Sequence, residues 1–76
     1  QTYRAQFDAQ SNAGQYPEAE QTARAALEIA TRAGHEGATA AWLLLLGDAL
    51  RQGRKLEEAG TVLRRSLEMT RRLYGA

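Results

Sequence analysis

Four segments of helical periodicity run along the chain, and the third is unlike the others. Between Ala38 and Gly53 the run Trp42-Leu43-Leu44-Leu45-Leu46, closed by Gly47, puts apolar side chains on nearly every side of a helix. Leu43, Leu46 and Leu50 make one face, and Trp42, Leu45 and Ala49 the adjoining one. A helix apolar all round has to be covered on more than one face. This segment is therefore expected at the centre, with its neighbours around it. The neighbours are one-sided. From Pro17 onward Ala19, Ala23, Ala26, Leu27 and Ala30 form a stripe at helical spacing, and so many alanines predict close helix–helix approach. From Leu56 onward Leu56, Ala59, Leu63, Leu67 and Thr70 lie on one side, with Arg64, Arg65, Glu68, Arg71 and Arg72 on the other. The first segment, about Thr2 to Ala13, offers Tyr3 and Phe7 one turn apart and is otherwise small or polar.

Glycines set the boundaries. Gly14, Gly34, Gly53 and Gly75 each follow a helix-compatible segment, at intervals of about twenty residues. A helix C-terminus favours a residue with φ > 0, which glycine adopts without a Cβ penalty. Pro17 suits a first helical position, where its missing N–H is no loss. Glu18 and Glu20 then bring negative charge to the first turn, as the helix dipole favours. The pattern predicts four helices joined by short turns.

Comparing the chain with itself at an offset of 40 exposes a repeat. Glu18, Ala19, Arg24, Leu27, Glu28 and Arg32 recur as Glu58, Ala59, Arg64, Leu67, Glu68 and Arg72. Tyr16 with Leu56 and Ile29 with Met69 are conservative pairs. The second and fourth helices are thus one element used twice, and the first and third are the other halves of two units. A common period of this kind means a solenoid, in which each unit covers its neighbour.

These residues resemble the tetratricopeptide repeat, in the longer form of about 40 residues. The family's Leu-Gly pair in the first helix of a unit is matched by Leu46-Gly47, with Leu50 one turn on. The small residue that opens the second helix is matched by Ala59, and the large one a turn later by Leu63. The first unit matches from Gly14 through Ala19 and on to Leu27. Two departures stand out: Gln6-Phe7 in place of Leu-Gly, and what reads as one extra residue in the turn Gly53-Arg54-Lys55-Leu56. The resemblance implies an all-α helix-turn-helix solenoid of two antiparallel helix pairs, unit one at about 1–34 and unit two at about 35–76. Glycine inside a helix costs about 1 kcal/mol against alanine, and close approach of the partner helix at Ala59 is expected to offset it at Gly47. The chain starts at Gln1 without an initiator Met and is expected to be a segment of a longer array.

By the family's pattern the first helix of each unit lines a concave groove. The groove positions are Arg4, Asp8, Ser11 and Asn12 from the first helix and Leu44, Asp48, Arg51 and Gln52 from the third. Paired aspartates with flanking arginines suit a helical or extended peptide carrying both charges. Some members of the family clamp a C-terminal carboxylate. Asp8 and Asp48 would repel one, which argues for a different ligand.

Composition narrows the remaining classes. At 76 residues the chain is one small module, in a size range where a single core is marginal. It has no cysteine, so neither a disulfide framework nor a thiolate metal site is available, and a cytoplasmic setting is expected. Net charge is +1 with both signs interspersed, and no aromatic residue alternates with the arginines near Arg51, Arg54 and Lys55 or along Arg64 to Arg72. This argues against nucleic acid as a partner. No apolar run reaches the roughly 18–20 residues that span a bilayer, and the Trp42–Leu46 run is read as core. His35 is the only histidine, in the turn Gly34-His35-Glu36-Gly37, with no nucleophile or second ligand at a telling spacing. It is read as a loop residue without a role. The same four residues satisfy a G-x-x-G pattern used by an RNA-binding fold, but no flanking strand is readable. No enzyme activity, cofactor or metal is expected.

The expected function is non-catalytic recognition of a protein or peptide in the groove. The alternative is a structural or oligomerisation module. With two units and no polar capping helix, Leu73, Tyr74 and the outer faces of the first and fourth helices are expected to be partly exposed and to promote self-association.

Overall fold

The computed structural model describes residues 2–75, which form four α-helices: α1 (Thr2–Asn12), α2 (Tyr16–Arg32), α3 (Glu36–Gln52) and α4 (Leu56–Tyr74). There is no strand among the described residues. The helices stack in chain order, α1 on α2, α2 on α3 and α3 on α4, as two antiparallel pairs of an all-α repeat.

The three turns share one hydrogen-bond scheme. In each, the last turn residue donates its N–H to a carbonyl five residues back: Gln15 to Gln10 (2.8 Å), His35 to Ala30 (3.1 Å) and Lys55 to Leu50 (2.8 Å). The residue before it donates to a carbonyl three back: Gly14 to Ser11, Gly34 to Thr31 and Arg54 to Arg51, each at 3.1 Å. Such paired bonds close the orphan carbonyls of a helix end and require a left-handed residue at the inner position. Gly14 (φ 74°) and Gly34 (φ 70°) supply it in the first two turns. In the third turn Arg54 supplies it, with φ 72°, while Gly53 sits one position earlier at φ −81°. Gly53 is thus not the left-handed residue that the glycine spacing suggests. Nor does the turn hold an extra residue: it has the same length as the other two, with its glycine displaced by one.

The centre of the molecule is α3, as its all-round hydrophobicity predicts. Leu43, Leu46, Ala49 and Leu50 are buried there, against Phe7 of α1, Ala19 and Ala23 of α2, and Ala59 and Val62 of α4. Trp42 and Leu45 are half-buried at the side. Phe7 meets Trp42 edge to face, with ring centroids 5.8 Å apart at 87°, so α1 and α3 touch as well.

At Gly47 α3 and α4 pack closely. A methyl group placed on it would lie 2.5 Å from Leu63 Cδ2 and 2.6 Å from Leu63 Cγ. The residue that needs the glycine is therefore Leu63, one turn beyond the expected Ala59. Nearby, the Ser66 hydroxyl donates to the Ala40 carbonyl (2.9 Å) and satisfies a buried polar group at the interface.

The residues that the sequence groups on one side of α4 divide. Ala59 is buried with Val62 and Ser66, whereas Leu56 and Leu67 are 60% and 57% exposed. The helix turns its small-residue face to α3, because Gly47 and Leu63 and the Ser66 bond need close approach. The larger leucines are left at the edge. At the ends, Leu73 is half-buried and Tyr74 exposed. The outward edge of α1 is exposed too, but it consists of Gln6, Ala9 and Ala13 rather than large apolar side chains.

Candidate functional site

The eight positions that the family resemblance assigns to a groove lie on α1 and α3. Phe7 and the buried side of α3 fix which way each helix faces. On α1, Arg4, Asp8 and Asn12 are exposed and Ser11 half-buried. On α3, Leu44 and Arg51 are exposed, with Asp48 and Gln52 half-buried. The Phe7–Trp42 contact sets the two helices beside one another.

Each aspartate is already engaged on its own helix. Arg4 Nε donates to Asp8 Oδ1 at 3.1 Å, and Arg51 Nη2 donates to Asp48 Oδ1 at 2.6 Å. Gln52 Nε2 donates to the other Asp48 oxygen at 3.0 Å. The face is therefore electrically balanced, one Arg per Asp, and less repulsive to a carboxylate than the aspartates alone imply. Pairs this exposed contribute little to stability, about 0.2–1 kcal/mol each, and can re-form with a partner at small cost. Among these polar groups Leu44 stands alone, 55% exposed in mid-helix.

A second feature, unread in the sequence, spans the junction between the helix pairs. Glu20 is buried and accepts from Lys55 Nζ (3.0 Å) and from Arg24 Nε (3.0 Å). Arg24 also reaches Glu58 at the start of α4. Burial pushes the Glu20 carboxyl up, but the hydrogen bonds from Lys55 and Arg24 outweigh it and hold the group below its ordinary value of 4.5. The Glu58 carboxylate, working against desolvation and helped by Glu20, raises Arg24. Four charges thus tie α2 to the third turn and α4. The tie was hidden because Lys55 and Glu20 lie 35 residues apart.

His35 is not idle. Its Nδ1 accepts the Ala38 N–H at 3.0 Å, capping α3, which starts two residues before the Ala38 expected from the apolar pattern. The equivalent Gln15 and Lys55 make no such bond. Among the described residues no group of three or more His, Asp or Glu side chains could hold a metal ion, and no helix is long and apolar enough to cross a membrane. A cavity of about 280 Å³ lies beside Tyr3, Ile29, His35 and Trp42. It gathers no convergent polar groups of the kind that orient a small ligand.

A family model described as tetratricopeptide repeat matches residues 7–72. No curated protein and no solved structure gives a significant match.

Proposed function

Since the chain belongs to the tetratricopeptide repeat family, we propose that it recognises a protein or peptide segment on the outward faces of α1 and α3. Repeats of this family in general mediate protein–protein interaction and are typically non-catalytic. We read α1 with α2 as one unit, about residues 1–34, and α3 with α4 as the next, 35–76. The observation that carries the proposal is the composition of the α1–α3 face. A half-exposed Leu44 sits among Arg4, Asp8, Asp48 and Arg51, whose charges balance. An isolated leucine gives a partner an apolar anchor, and exchangeable ion pairs around it give orientation. The occupant this favours is a short helix or extended strand with one apolar anchor flanked by charges of both signs.

The test uses a photo-crosslinking side chain at position 44 and, as control, at Glu68 on α4. A partner captured from position 44, absent from position 68 and lost on reversing Asp8 and Asp48 to Arg, supports recognition on this face. Equal capture at both positions, or capture indifferent to the reversal, removes the groove assignment.

A further inference from the structure

Leu56, Gly60, Leu63 and Leu67 fall at i, i+4, i+7 and i+11 on α4, one apolar edge along the helix. Leu56 and Leu67 are largely exposed, with Gly60 and Leu63 half-buried. Forty residues earlier the same positions on α2 are Tyr16, Glu20, Ala23 and Leu27. There the edge is covered. Ala23 and Glu20 are buried, Lys55 closes on Glu20, and Tyr16 lies against Gly53 at the end of α3. The chain therefore shows what kind of surface this edge of a second helix takes: the first helix of a unit, followed by its turn.

The chain also carries that surface at its other end. α1 is the counterpart of α3, and its edge equivalent to Leu46, Ala49 and Gly53 is Gln6, Ala9 and Ala13, all exposed and uncharged. Sizes are complementary. α4 presents Leu56 and Leu67, both exposed, and α1 answers with the small or slender Gln6, Ala9 and Ala13. Charge is complementary as well. Arg24 crosses the internal junction to Glu58. The equivalents of that pair are Arg64 and Glu18, both exposed. Among the described residues neither makes an ion pair, and Arg64 has only a 3.5 Å bond to the Thr61 hydroxyl.

We propose that a second copy of this chain docks head to tail, the α1 edge and the start of α2 of one copy seated on the Leu56–Leu67 edge of the other. Arg64 of one copy then pairs with Glu18 of the next. The contact is heterologous, so it repeats without closing and gives a ladder of species rather than a dimer. It does not depend on the α1–α3 face binding a partner, and each can fail without the other.

Sedimentation velocity on the 76-residue chain, taken up to its solubility limit, tests the idea. The weight-average mass should climb from 8.3 kDa with concentration and pass the dimer without a plateau. Leu67→Glu and Arg64→Glu, both at exposed positions and checked for unchanged helicity by circular dichroism, should each weaken association roughly tenfold or more. The swap Arg64→Glu with Glu18→Arg should restore most of what either single change loses. A strict monomer at every concentration overturns the proposal. So does a closed dimer that Leu67→Glu abolishes but Glu18→Arg leaves untouched, since that is the signature of two α4 edges meeting tail to tail.

Discussion

Phe7 with Ala23 and Gly47 with Leu63 occupy equivalent places forty residues apart, and their sizes are exchanged. In the first pair the bulk comes from α1 and α2 supplies the small residue; Phe7 and Ala23 are both buried. In the second pair the bulk comes from α4, and α3 gives way with a glycine that Leu63 nearly touches. A helix contact of fixed geometry holds a fixed volume, and either side can fill it. The departure of Gln6-Phe7 from the family's Leu-Gly pair is thus no defect in the first unit. It is the other solution to the same contact.

The sharpest way to break the comparison is to fill both sides at once. Gly47→Phe against an unchanged Leu63 should cost more than about 3 kcal/mol, the upper range for overpacking. Adding Leu63→Ala, which copies the first pair into the second, should recover much of that. Thermal unfolding of the four corners of the cycle should give a coupling above about 1 kcal/mol. Simple additivity would mean that the two pairs are not equivalent.

Next in size is Glu20, whose counterpart on α4 is Gly60. Glu20→Ala should destabilise by about 1–3 kcal/mol, since it strips a buried acceptor from Lys55 and Arg24. The pH dependence has a definite sign. A carboxyl held below its ordinary value adds stability that is complete above about 4.5 and is lost as the pH falls through the lowered value. Acid titration of the native chain against Glu20→Gln should show the two curves converging only below that point. Convergence above it would contradict the ion pairs.

The turns sharpen the comparison at a finer scale. His35→Ala should cost about 1 kcal/mol, and His35→Asn should keep most of the cap. Matching changes at Gln15 should do nothing comparable. Smallest of all, Arg54→Gly should raise stability by about 0.5–1 kcal/mol by relieving a left-handed non-glycine residue. Gly34→Ala should lower it by a similar amount. Chemical denaturation with matched m-values resolves both.

The fold was largely legible in the sequence because three signals converge. The all-round hydrophobicity of the Trp42–Leu46 run fixes the centre, glycines mark the corners, and the match at offset 40 makes the second and fourth helices copies. Rotation about a helix axis was less legible. Leu56 and Leu67 read as readily inward as Ala59, while Val62 and Ser66, which are buried, were not read on that side. The left-handed position passed unseen at Arg54 because a glycine stood beside it. The candidate binding face was the least legible part. Arg4, Asp8, Asp48 and Arg51 are ordinary surface residues by type, and their i,i+4 and i,i+3 spacing announces pairing along each helix without marking a binding face.

The corners have one more consequence, at the level of the gene. Each spans three residues with the same two hydrogen bonds, so nothing between α1 and α4 can take up slack. One codon added or lost at a corner would break those bonds or swing the following helix by about 100° about its axis. Insertions that leave the molecule intact should therefore come in whole blocks of forty codons.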